Sequence, residues 1–180
     1  MHSLNHEHLV KLYGVVLDVD SSLMLVTEFA PLRSLAENIK QEALKPAFPI
    51  TLLLDFSVQI ADAMRYLHMS NIIHRDLAAR NILLFVDDEG NKKAKISDFG
   101  LSRRLLLGEN YRSEMRPNLK LPLAWMPVES LTKLTFTKAS DVWSFGVTMW
   151  EMFSYGRKPF ATLSGEEVNM VVAFPCLWCD

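Results

Sequence analysis

Cysteine is nearly missing from this 180-residue chain: Cys176 and Cys179 are the only two, both within the last five positions. The body of the chain therefore has nothing to cross-link, and a reducing, intracellular setting is expected. A lone C-x-x-C with no second ligand pair makes neither a zinc nor a redox site. An excess of positive charge is missing as well. Lys and Arg number 19 against 21 Asp and Glu, a net charge of −2, so neither nucleic acid nor an anionic membrane is an expected partner. No apolar run reaches the ~20 residues of a membrane span. The longest, VWSFGVTMWEMFSYG at 142–156, contains Glu151 and follows Asp141, and reads as a buried helix. The opening MHSLNHEHLV lacks the basic start and greasy centre of a secretory signal. A cytoplasmic protein is expected, meeting membranes only through partners. What the chain does have is an apolar fraction of 49% against 22% charged, enough for one globular core or part of a larger one.

The segments 9–18 and 21–30 are rich in β-branched and aromatic residues with Asp and Ser between them, which predicts an antiparallel hairpin. Residues 31–41 turn helical, and KPAFP at 45–49 ends that helix. From Thr51, placed to cap it, a helix is expected to Met69. Its Leu53, Phe56, Ile60, Met64 and Leu67 recur at steps of three and four. A turn at 87–90, a strand at 93–96 and a helix opened by Ser140 and Asp141 follow. Strands first and helices after them imply an α+β fold with segregated parts.

Three polar signals lie in order along this frame: HRDLAARN at 74–81, DFG at 98–100 and WMPVES at 125–130. Asp76 and Asn81 stand five residues apart, and a short hairpin brings Asp98 towards them. A carboxylate and an amide oxygen of this kind suit hard, oxygen-ligated Mg²⁺, whose shell is completed by water and phosphate. Asp76 is left to receive a hydroxyl proton, the layout for in-line phosphoryl transfer. Were these residues mere surface loops, three ordered motifs would have to coincide.

With SDVWSFGVTMWEM at 140–152, the sequence resembles the protein kinases. The resemblance implies a bilobal kinase fold and ATP and Mg²⁺ as cofactors. Asp76 would be the catalytic base, with Arg80 beside it, and Asn81 and Asp98 would be the metal ligands. His74 would pack on Phe99, next to Gly100. Arg75 would be available to a phosphate on the activation segment, and Asp141 would bind backbone near His74 and Arg75 from below. Ala78, Ala79 and Arg80, in place of the lysine of serine/threonine kinases, give the tyrosine-kinase form. Pro122 and Trp125 in LPLAW resemble the platform that seats a phenol side chain.

MHSLNHEHLVKLYGVVL, LVTEFAPLRSL and LPLAWMPVESL look most like the Ack-type non-receptor group. By that likeness Thr27 would be the gatekeeper, the backbones of Glu28 and Ala30 would hold adenine, and Leu83 would lie beneath the ring. Met1 and Leu12 would stand above Phe99 and His74. Tyr111 is the sole tyrosine between Asp98 and Glu129 and is a phosphorylation candidate. Protein substrates with tyrosine and flanking regulatory domains are the implied partners.

The chain also departs from the pattern. No G-x-G-x-x-G occurs in it, nor a V-A-I-K-like strand lysine. Residues 1–30 are therefore expected to be a remnant of the N-lobe and 31–168 a truncated, mainly helical C-lobe. Residues 169–180 are expected to be a divergent tail outside native kinase sequence. Val128 and Arg33 replace a usual proline and glycine. Glu129 would pair with an arginine from helices beyond the chain. A buried acid without its partner costs roughly 3–5 kcal/mol of a total near 5–15 kcal/mol, so the isolated chain is expected to be marginal. The alternative function is a kinase-like binding module without catalysis.

Overall fold

The computed structural model describes residues 4–17, 23–99, 101–105, 110–112, 121–164 and 167. The expected hairpin forms from β1 (Leu12–Leu17) and β2 (Leu23–Thr27), shorter than the predicted runs. Leu12 faces Thr27 and Val15 faces Leu25, with an irregularity between Leu12 and Gly14. Val15, Leu17 and Leu25 are each more than half exposed. Next comes α1 (Leu35–Lys40), capped by Ser34, whose Oγ accepts the Glu37 N–H at 3.2 Å. A 3-10 turn over Glu42–Ala47 carries Pro46 into α2 (Ile50–Met69).

Thr51 does not cap α2. Pro49 holds that position, and its carbonyl accepts from both Leu52 and Leu53, so the helix begins one residue earlier than predicted. The predicted apolar stripe is correct: Leu53, Phe56, Ile60, Met64 and Leu67 are all buried, each contributing about 1.5–3 kcal/mol by leaving water. They pack on Ile82, Leu84, Ala94 and Ile96 in one cluster that also takes in Met152.

Those four residues belong to a second hairpin, β4 (Ile82–Val86) and β5 (Lys92–Ile96), after β3 (Ile72–Ile73) and a 3-10 turn at Ala79–Asn81. Ile82 faces Ile96 and Leu84 faces Ala94. Gly90, at φ +86°, makes the connecting turn, where a Cβ would be strained. The outer edge of β5 is not left open: the Gln59 Oε1 accepts the Ala94 N–H at 2.7 Å, and Ile96 bridges in parallel to Leu9, its N–H donating to the His8 carbonyl at 2.9 Å.

Downstream, β6 (Arg103–Arg104) pairs with β3, and β7 (Asn110–Arg112) pairs with β8 (Thr135–Thr137). A 3-10 turn at Leu123–Trp125 and α3 (Val128–Lys133) lie between β7 and β8. Finally α4 (Lys138–Phe153) starts two residues before the predicted Ser140. The reason is a capping box. The Thr137 Oγ1 accepts the Ser140 N–H at 3.2 Å, and the Ser140 Oγ accepts the Thr137 N–H at 2.7 Å. Ser140 thus lies inside the first turn instead of at the cap. The arrangement is α+β, a strand hairpin leading into a mainly helical body. Among the described residues no helix is long and apolar enough to cross a membrane.

Candidate active site

The HRDLAARN stretch forms a loop whose two ends are fixed by β3 and β4. Its Asp76 carboxylate pairs with the Arg80 guanidinium one turn away. The Asn81 Nδ2 donates both to the other Asp76 oxygen, at 2.9 Å, and to the Asp76 carbonyl, at 2.7 Å. The side chains of Asp76, Arg80 and Asn81 are therefore held in one cluster. Arg75, at φ +72°, has left-handed backbone, which costs a non-glycine residue about 1–3 kcal/mol unless neighbours enforce it.

Asp141 supplies that enforcement. Its side chain is 1% exposed and reaches the loop from α4. Oδ2 accepts the His74 N–H at 2.9 Å and Oδ1 accepts the Arg75 N–H at 3.0 Å. The His68 Nε2, from the last turn of α2, also lies 3.0 Å from Asp141 Oδ2. His68 has no sequence signal. It is 73 residues from its partner, and only the packing of α2 on α4 joins them.

His74 is fully buried. The Asp76 N–H donates to its Nδ1 at 3.3 Å, so the ring proton is on Nε2, which donates to the Ser97 carbonyl at 3.0 Å. Burial holds the His74 pKa below its ordinary 6.5. For a base whose folded pKa is depressed, the unfolded chain binds more protons, and stability is lost as pH falls below the unfolded value. A stability profile should therefore fall on acidification from pH 6.5 downward. His74→Tyr should flatten that limb, read as denaturation midpoint against pH.

Ser97 also closes the next contact. Its N–H and Oγ both donate to the Asn81 carbonyl, at 2.8 and 2.9 Å, so the start and end of the β4–β5 hairpin lie side by side. This is what carries the DFG motif to the HRD loop. The ring of Phe99 meets His74 edge-on at 5.4 Å, as expected from the resemblance. Gly100 lies outside the described residues. Asp98 is exposed, at φ +58°, on the wall of a cleft of about 210 Å³. Thr27, Leu83, Leu12 and Phe99 line the same cleft.

Just after β2, the Glu28 N–H donates to the Lys11 carbonyl at 2.9 Å. The Glu28 carboxylate accepts the Lys11 N–H at 2.8 Å and pairs with Lys95 Nζ on β5 at 2.8 Å. This brace between the two hairpins was not visible in the sequence. The carbonyl of Ala30 turns away to accept the Arg33 N–H at 3.2 Å.

On the opposite side of the loop, the Arg75 guanidinium lies 4.7 Å from the Tyr111 ring and 4.2 Å from Phe136. Its Nη1 donates to the Leu101 carbonyl at 3.0 Å, while Nε and Nη2 are buried with no hydrogen-bond partner among the described residues. Trp125 stacks under Arg80 at 4.6 Å, and its indole N–H donates to Glu151 at 2.7 Å. Glu129 is half-buried rather than buried, which corrects the expected cost of leaving it without an arginine to a smaller one.

Comparison with known proteins bears on this geometry. The model of the family described as protein tyrosine and serine/threonine kinase matches residues 1–174. The chain belongs to the protein kinase family. Among curated proteins, it is 54% identical over 97% of its length to a Drosophila melanogaster protein named "Activated Cdc42 kinase-like". A Caenorhabditis elegans "Ack-related non-receptor tyrosine kinase" is 53% identical over 96% of the chain. A mouse "Non-receptor tyrosine-protein kinase TNK1" is 44% identical over 89%. The chain spans 13%, 16% and 23% of those three kinases respectively. The likeness read from the sequence, to Ack-type non-receptor tyrosine kinases, stands.

Proposed function

We propose that this chain forms the catalytic part of a non-receptor protein tyrosine kinase. In this reading, residues 1–30 belong to the N-lobe and 31–168 to the C-lobe, and the relatives' greater length supports flanking domains elsewhere in the protein. The observation that carries the reading is the fixed Asp76 cluster. Its carboxylate is oriented by Arg80 and Asn81 on a loop that Asp141 clamps in left-handed backbone.

The donor set fits Mg·ATP. Asn81 and Asp98 offer hard oxygens, and the cleft beside Asp98 has apolar walls in Leu12, Leu25 and Leu83 suited to a flat base. Thr27 and the backbones of Glu28 and Ala30 would border the adenine, and Leu83 would support it. When bound, Mg·ATP supplies the phosphoryl group to be transferred. Asp76 would orient the substrate phenol and accept its proton, while Arg80 holds that carboxylate in place. His74 and Phe99 keep the two motifs in register. Arg75, with two buried donors that meet no partner among the described residues, would receive a phosphate on Tyr111, 4.7 Å from its ring. Trp125 and Pro122 would border the acceptor tyrosine. A cytoplasmic place of action accords with this reading.

The test uses the full-length protein with Mg·ATP. Phosphate is expected on a tyrosine peptide and on Tyr111, with both signals abolished by chelating the metal. ATP binding without any transfer would favour the non-catalytic module instead.

A further inference from the structure

We propose that Glu151 is a positioning residue that couples the catalytic loop to the surface seating the substrate tyrosine. The inference rests on the kinase reading above and adds a residue that the sequence motifs do not single out. Glu151 lies in α4 and is 6% exposed. One of its oxygens, Oε2, accepts two N–H groups from different segments: Ala79 at 3.0 Å and the Trp125 indole at 2.7 Å.

Ala79 is in the loop between Asp76 and Arg80. Trp125 is in the segment after the activation region, and the Arg80 guanidinium covers its ring at 4.6 Å. Arg80 in turn pairs with Asp76. A closed circuit results, running from Asp76 through Arg80, Trp125 and Glu151 to Ala79 and back along the loop. Displacing Trp125 would move the guanidinium that orients the Asp76 carboxylate.

The same face of α4 holds both segments by backbone as well. The Ser144 Oγ donates to the Trp125 carbonyl at 2.8 Å. One turn further, the Thr148 Oγ1 lies 3.2 Å from the Leu77 carbonyl. Ser144, Thr148 and Glu151 follow the four-then-three spacing of one helix face, so α4 acts as the common ruler for the loop and the platform.

An acid is an expensive choice for this place. Burial pushes the Glu151 pKa up, opposed by the two N–H donors and by the charges of Arg80 and Lys40, and among the described residues it forms no ion pair. An apolar side chain of similar size would fill the space at lower cost. What only an acceptor oxygen provides is the shared contact with Ala79 and Trp125.

The test is steady-state kinetics of the full-length kinase with a tyrosine peptide and ATP varied separately. In Glu151→Leu two buried N–H groups lose their partner. The kcat/KM for peptide should fall by about tenfold or more while the KM for ATP stays within about twofold. Glu151→Gln, which keeps an acceptor oxygen, should recover most of that loss. Trp125→Phe keeps an aromatic ring beneath Arg80 but removes the indole N–H together with its five-membered ring. It should lower peptide kcat/KM in the same direction, and should have little further effect when combined with Glu151→Leu. Because Trp125 is only half-buried, it carries the test if Glu151→Leu does not fold.

An active wild type whose peptide kinetics ignore these changes would overturn the proposal alone. So would equal losses in the ATP and peptide parameters, or a Gln variant as impaired as the Leu one. A folded wild type that transfers nothing would overturn the kinase reading with it.

Discussion

Asp76→Asn in the full-length protein is expected to lower kcat for tyrosine phosphorylation by about 10²–10⁴-fold, the usual contribution of a positioned general base. The substitution preserves shape. An amide oxygen can still accept from Asn81 or from Arg80, which now flank the carboxylate. What it removes is the ability to take the phenol proton as the new bond to phosphorus forms. The KM for ATP should change little, because Asp76 lies on the loop, whereas the expected nucleotide contacts come from Thr27, Leu83 and Asp98 around the cleft. Equal rates for the two proteins would remove Asp76 from the chemistry.

The second large effect is on stability. Asp141→Ala leaves the buried N–H groups of His74 and Arg75 without the acceptors they have at 2.9 and 3.0 Å. At about 1–3 kcal/mol for each orphaned donor, the kinase unit should lose roughly 2–6 kcal/mol of a total near 5–15 kcal/mol. Nothing would then compensate the left-handed backbone of Arg75. The unfolding midpoint should fall, and the amides of residues 74 and 75 should exchange with solvent faster than those of α2. Asp141→Asn, retaining one acceptor oxygen, should lose less. An Ala variant that melts with the wild type and protects both amides equally would contradict the clamp.

The parts of the fold legible in the sequence were those with local causes. The α2 stripe follows from periodicity, the β1–β2 hairpin from β-branched runs with a polar break, and the β4–β5 hairpin from the turn at 87–90 and the strand after it. Legibility failed at the helix starts: the Pro49 carbonyl began α2 in place of Thr51, and the side-chain box between Thr137 and Ser140 moved the start of α4. It failed again for short strands such as β6 and β7, which exist only because partners far along the chain pair with them.

The candidate site divides in the same way. Asp76, Asn81, Asp98 and Asp141 stand in motifs whose spacing carries their chemistry. His68, Ser97 and Lys95 stand outside those motifs, and Glu151, although inside the 140–152 segment, has no spacing that tells its role; each acts on a partner brought close by tertiary packing alone. The Glu28–Lys95 pair crosses 67 residues and the Glu151–Ala79 contact 72, distances over which a single sequence holds no pairing signal.

The central claim is that Ala78, Ala79 and Arg80, with Trp125 and Pro122, make this a tyrosine-directed phosphoryl-transfer site. The most direct test is the full-length kinase with Mg·ATP and two peptides identical except for a tyrosine or a serine at the acceptor position. The account predicts phosphate on the tyrosine peptide and none above background on the serine peptide. Comparable labelling of the serine peptide would contradict it.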